Sequence, residues 1–172
     1  VTHEVVRTRG GALAMRSVEA GEVMHPGVGP LAEAEALYVR QSRLAERLRT
    51  AGATEPRELV VFDVGLGAGS NALAARAVAE AAPPDAARLH LVSFERDLGA
   101  LALALEHGDT FGLVGDAAIA ARALLADGKH ESARTRWELR RGDLVERLAD
   151  EPTRADAVFW DPFSPRANPS LW

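Results

Sequence analysis

The sequence predicts an α/β fold: a parallel sheet with helices on both faces, preceded by an N-terminal β-hairpin and helix. Three observations carry this. From residue 58 onward, strand patterns alternate with helical patterns, the signature of strands joined by right-handed crossovers. The first of the strand runs, "ELVVFDVG", is a short apolar, β-branched run of the kind covered on both faces of a parallel sheet. A glycine-rich turn joins the first of these runs to its helix.

Taken in order, residues 4 to 9 ("EVVRTR") and 12 to 18 ("ALAMRSV") read as two strands turned at Gly10 and Gly11. A Gly- and Pro-rich stretch, "HPGVGP", leads to Pro30. From Leu31 to about Thr50, Leu31, Ala34, Leu37, Tyr38, Leu44, Ala45 and Leu48 recur at near-helical spacing, which predicts one amphipathic helix ended by "AGATEP". Strand "ELVVFDVG" is followed by helix "SNALAARAVAEAA", which Pro83 and Pro84 close. Strand "RLHLVSFE" follows, then helices "LGALALALEHG" and "GDAAIAARALLADG", strand "TRWELRRGD", the short helix "DLVERLAD" and strand "ADAVFWD". The expected division is an extension over residues 1–57 and a core over residues 58–172.

The 172 residues suit one domain with a sizeable core. With no cysteine, disulfides, thiolate metal sites and cysteine nucleophiles are excluded. No apolar run approaches 18 residues and the start is charged, so no membrane span or leader is expected and the expected setting is cytoplasmic. No metal site is expected. The formal net charge of −5 argues against nonspecific coating of nucleic acid but leaves room for a local basic face. Arg40, Arg43, Arg47 and Arg49 on the first helix suit either nucleic-acid phosphates or simple solvation.

The chemistry-bearing residues gather at strand ends. "DVGLGAGSN" puts Asp63, Gly65, Gly67 and Gly69 between the first core strand and its helix, where glycines let the backbone approach a ligand and the helix offers free N–H groups. Such a loop alone also suits a plain tight turn. Glu95, 26 positions beyond Gly69, stands where nucleoside-binding folds place a carboxylate for ribose hydroxyls, or is a solvated strand-end acid. Asp143 closes the third strand and Asp161 the fourth, beside the first at the switch point of the sheet.

The D-x-G-x-G-x-G spacing resembles the first motif of class I, Rossmann-like S-adenosylmethionine-dependent methyltransferases. "DAVFWDPFSPRANPSLW" is similar to the D-x-F-x-P-x-x-N-P-x-x-W stretch of the methyltransferase domain of the MnmC tRNA wobble-uridine family. With "GEVMHPGVGPLAEAEALYV", "FDVGLGAGSN", "SFERD" and "LRRGDLVERL", the resemblance runs from about Glu22 to Trp172. It implies S-adenosyl-L-methionine as cofactor, tRNA as partner, and methyl transfer to 5-aminomethyluridine, giving 5-methylaminomethyluridine. Asp161 would be the catalytic residue. Asp63, Gly65, Gly67, Gly69, Asn71, Glu95, Asp143 and Pro162 would bind the cofactor, and Phe163, His25 and Tyr38 the substrate. Asn168 and Trp172 belong to the family pattern, but their residue types suggest no role.

The bifunctional members also carry a flavin-dependent oxidase domain, for which this chain has no room. The expectation is therefore the stand-alone form, with no flavin in this chain. The family's fold needs three strands beyond the fourth, so the chain is expected to be an N-terminal portion of a longer protein, its C-terminal strands absent. The alternatives are a class I methyltransferase acting on a small amine or another nucleoside, and an inactive methyltransferase-fold scaffold. A nicotinamide-dependent oxidoreductase is disfavoured by the glycine spacing.

Overall fold

The structure, a computed structural model, describes residues 2–24, 29–54 and 58–172. The described residues form two sheets. In the first, β1 (His3–Arg7) and β2 (Leu13–Ser17) pair antiparallel with His3 opposite Ser17. Gly11, at φ +85°, closes the turn with its N–H on Thr8 O. The hairpin is one strand wider than the sequence suggests, because β3 (Glu22–Val23) adds to β2. Two residues are too few to leave a periodic signal.

The single helix expected over 31–50 is instead broken in two. α1 (Pro30–Ala34) continues as a π-helical segment over Glu35–Arg40, and α2 (Leu44–Thr54) starts after a kink at Arg43, whose φ of +55° is the one positive value for a non-glycine among the described residues. The wider turn rotates the apolar face, so that Val39 is buried while Leu37 stays 46% exposed. Gln41, Ser42 and Arg43 at the break are polar, and Ser42 Oγ donates to Val39 O (3.2 Å).

The second sheet has the order β6-β7-β5-β4-β8. β4 (Glu58–Val64), β5 (Arg88–Glu95), β7 (Thr135–Arg141) and β8 (Ala157–Trp160) run parallel. β6 (Lys129–Glu131) is a short charged strand lying antiparallel against β7, so the sheet is mixed at this edge rather than wholly parallel. The crossovers carry α3 (Ser70–Glu80), α4 (Gly99–Glu106), α5 (Gly108–Phe111), α6 (Gly115–Asp127) and α7 (Leu144–Ala149).

Both faces of the sheet are covered. Leu59, Val61, Leu89, Leu91, Trp137 and Phe159 join the main apolar cluster with α2, α3, α4 and α6, and Met15, Val39 and Leu48 bring the N-terminal elements into it. On the other face Phe62, Val64, Val92 and Phe94 pack with Leu144 of α7. Chain order runs outward from β4 through β5 to β7 and then returns to the far side of β4 at β8. The sheet's switch point therefore lies between β4 and β8, at their C-terminal ends.

Candidate active site

At that switch point the backbone is unusually close. A Cβ on Gly65 would stand 2.5 Å from Asp161 O, and Gly65 has φ +85°, so both space and conformation demand glycine there. Gly65 N–H donates to Phe94 O (3.1 Å), and Asp161 N–H donates to Val64 O (2.9 Å). Gly67 and Gly69 also have positive φ, and Leu73 N–H donates to Gly69 O as α3 begins. The loop borders a cleft of about 720 Å³, within the usual range for small-molecule sites.

The residues singled out in the sequence fall into two layers. Gly65, Gly67, Glu95, Asp143, Asp161, Pro162 and Phe163 line the cleft. Glu95 accepts from Gly67 N–H (3.0 Å) with one oxygen and from Arg96 and Asp97 N–H (2.7 and 3.0 Å) with the other, tying the glycine loop to the turn after β5. A carboxylate has about four acceptor positions, so capacity remains for a ligand hydroxyl. Asp143 lies two residues past β7 and is the N-cap of α7, accepting from Val145 N–H (2.9 Å).

Behind the cleft lie Asp63, Gly69, Asn71 and Tyr38. Asp63 belongs to β4 itself and is fully buried, rather than closing the strand in the open. Ser93 Oγ donates to its Oδ2 (2.7 Å) and Trp137 Nε1–H donates to Ser93 Oγ (2.9 Å), a line of hydrogen bonds across β4, β5 and β7. Asp63 Oδ1 has no hydrogen-bond partner. Burial pushes the Asp63 carboxyl up to about 7 against the Ser93 hydrogen bond, and the charges of Asp161 and Glu95 push the same way.

Asn71, buried in the first turn of α3, donates from Nδ2 to Asp161 Oδ2 (2.9 Å). Tyr38 donates from its hydroxyl to Trp160 O (3.1 Å), and its ring packs on Phe159 with centroids 5.4 Å apart. Burial, then the charge of Asp161, raises the Tyr38 hydroxyl well above the usual phenol range. Both residues thus support the strand end that carries Asp161. His25 lies outside the described residues.

Of the two aromatics flanking Asp161, neither is core: Phe159 is the buried member of β8, Trp160 is 38% exposed, and Phe163 borders the cleft. Trp172 Nε1–H donates to Phe163 O (2.9 Å) and its ring meets Trp160 edge-on, which gives Trp172 a physical role that its residue type did not suggest. Arg40 pairs with Glu35, Arg43 with Glu46, and Arg47 donates to Asp156 O. Sequence reasoning missed Ser93, Trp137 and Glu22. Ser93 left one signal, a hydroxyl inside an otherwise apolar strand; Glu22 left none.

The donor set fits an adenosyl sulfonium ligand. Bare backbone at the glycine loop admits close approach, Glu95 and Asp143 present negative charge to the same cleft, and the unpartnered Asp63 oxygen stands behind the loop. A glycine loop at this switch point, with acids after successive parallel strands, is the arrangement of nucleotide-binding α/β folds, the class I S-adenosylmethionine-dependent methyltransferases among them.

A family model described as S-adenosyl-L-methionine-dependent methyltransferase matches residues 118–172. The chain is 32% identical over 162 residues to the tRNA 5-methylaminomethyl-2-thiouridine biosynthesis bifunctional protein MnmC of Burkholderia thailandensis, covering 88% of this chain and 24% of that protein. To the protein of the same name from Chromohalobacter salexigens it is 39% identical over 155 residues, covering 82% and 21%. The crystal structure of MnmC2 from Aquifex aeolicus superposes with a TM-score of 0.70 at 27% identity, covering 99% of this chain and 52% of that one. The resemblance to the MnmC family read from the sequence therefore holds along nearly the whole chain. The chain spans about a quarter of the length of these curated relatives.

No helix among the described residues is long and apolar enough to cross a membrane.

Proposed function

We propose that this chain forms the cofactor-binding part of a cytoplasmic N-methyltransferase that converts 5-aminomethyluridine at the tRNA wobble position to 5-methylaminomethyluridine. The observation that carries the reading is Asp161. It follows the strand next to the glycine loop, its carbonyl abuts Gly65, and its carboxylate is held by Asn71 at the mouth of the cleft. The curated relatives are named for biosynthesis of the 2-thio form of this product nucleoside.

In this reading residues 58–172 hold the cofactor, and the N-terminal extension contributes the cover that His3, Ser17, Glu22, Met24 and Glu33 form along the cleft. Gly65, Gly67, Glu95, Asp143 and Pro162 bind S-adenosyl-L-methionine, with Asp63 and Gly69 acting from behind the cleft. The cofactor supplies a methyl group activated on a sulfonium. The residues of this chain have the remaining task of presenting a neutral amine, since an alkylamine is mostly protonated at neutral pH. Asp161 holds the ammonium and accepts one proton from it, Asn71 and Tyr38 fix the orientation of that carboxylate, and Phe163 offers an aromatic face to the uracil.

The test is nucleoside mass spectrometry on tRNA bearing 5-aminomethyluridine, incubated with S-adenosylmethionine and the complete protein. The expected result is a gain of one methyl on that nucleoside, reduced on the order of 10²- to 10⁴-fold by Asp161→Ala. Cofactor binding of the variant should be retained. No methyl gain on tRNA, with methylation of a small amine in the absence of RNA, would refute the tRNA reading.

A further inference from the structure

β3 is two residues long, yet the segment it belongs to touches both sides of the cleft. Met24, the next residue, ties back to β2 by donating its N–H to Met15 O (2.7 Å), and its Sδ lies 3.1 Å from where a Cβ on Gly67 would stand. This end of the segment rests on the glycine loop. Glu22, two residues earlier, reaches the opposite wall: one oxygen accepts from Ser164 N–H (3.0 Å), the other from Ser164 Oγ, and Arg166 stands 3.5 Å away. Those hydrogen bonds from Ser164 hold the Glu22 carboxyl below the usual carboxylate range, so it is ionised at neutral pH.

Ser164 is in turn the anchor of a turn. Its carbonyl accepts from Ala167 N–H (2.9 Å) and Asn168 N–H (2.8 Å), while the preceding carbonyl, of Phe163, takes the Trp172 indole. The loop after Asp161 is therefore fixed at two places, one of them a charged group 142 positions earlier in the chain. A carboxylate that gives up both oxygens to a loop backbone and its hydroxyl, inside a ligand cleft, costs that cleft a cation-binding group. What it gains is a defined place for Phe163.

We propose that Glu22 is a positioning residue for the acceptor: through Ser164 it sets the Phe163 loop against Asp161, while Met24 on the same segment rests on the cofactor loop. This rests on the proposed function for the identity of the acceptor. Its consequence is a separation of effects, because Glu22 touches the acceptor wall and not the glycine loop.

The test uses the complete protein with Glu22→Ala, Glu22→Gln, Ser164→Ala and the Glu22→Ala/Ser164→Ala pair. Glu22→Ala should raise the KM for aminomethyluridine tRNA by roughly tenfold, with kcat and the calorimetric Kd for S-adenosylmethionine within about twofold of wild type. Glu22→Gln, which keeps one acceptor oxygen, should recover part of the loss, and Glu22→Ala should cost less in the Ser164→Ala background than alone, since only the bond from the backbone N–H of residue 164 is then left to lose. Hydrogen exchange, read without any substrate, should quicken in the peptide covering residues 161–172 and not in the peptide covering 88–97. An active enzyme whose tRNA KM is unmoved by Glu22→Ala overturns this inference alone, as does cofactor affinity falling in step with KM. A wild-type protein inactive on the tRNA, with or without the exchange difference, overturns the proposed function and this inference with it.

Discussion

Replacing Asp63 by asparagine should make the cofactor-free protein more stable at alkaline pH and leave it unchanged at acid pH. The carboxyl rises from 3.8 to about 7 in the folded chain because it is fully buried. Each unit corresponds to about 1.4 kcal/mol, so keeping this group ionised in the fold costs on the order of 4 kcal/mol. The folded state binds the proton more tightly than the unfolded chain does. The contribution is thus fully present below about pH 4 and is lost as pH rises through about 7. Asparagine has no proton to lose, and its carbonyl oxygen can still accept from Ser93. At roughly 2–4 °C per kcal/mol for a chain of this size, the variant should melt on the order of 10 °C above wild type at pH 8 and level with it at pH 4. Scanning calorimetry at the two pH values reads this directly. The same substitution should flatten the pH dependence of S-adenosylmethionine binding, which in wild type should tighten as pH rises through 7 and an anion forms behind the glycine loop. A stability gap that is the same at pH 4 and pH 8, or a variant less stable at pH 8, would refute the burial argument.

Gly65→Ala puts a methyl 2.5 Å from Asp161 O at a φ of +85°; it should cost about 2 kcal/mol or more in urea unfolding and weaken cofactor binding more than tenfold by calorimetry. Trp137→Phe keeps a ring for the Arg76 guanidinium, 5.8 Å from its centroid, but removes the donor to Ser93. It should cost about 1–2 kcal/mol, measured the same way, and a loss of Arg76 packing instead would show as a similar cost in Trp137→Phe and Arg76→Met. Asp143→Ala should lose about 1 kcal/mol by uncapping α7, visible as faster hydrogen exchange at Val145 and Glu146, and should weaken cofactor binding.

What could be read from the sequence was what neighbouring residues decide among themselves. The glycine spacing, the strand patterns of β4, β5, β7 and β8 and the proline stop after α3 are local, and the structure has them where the pattern put them. The break at Arg43 was hidden because Leu44 and Leu48 continue the spacing of Leu31 and Ala34; only the widened turn before it, set by packing, shows that Val39 goes in and Leu37 out. β6 was hidden by its brevity and charge. The acids were legible as a set but not in their layers. Whether Asp63 faces the cleft or stands behind it depends on strand register, as does its link through Ser93 to Trp137. Glu22 and Ser164 meet only because the first sheet folds over the second, a relation that no window of sequence contains.

The contact between Gly65 and the Asp161 carbonyl has a bearing on how such a site can change. Two strand ends meet there backbone to backbone, with no side chain between them to enlarge, trim or recharge. Point substitution has nothing to work on at this seam except the single glycine. Drift in acceptor preference is thereby channelled into the stretch from Phe163 to Asn168 and into the N-terminal cover, where side chains face the cleft, while the spacing between donor and acceptor passes unaltered from one specificity to the next.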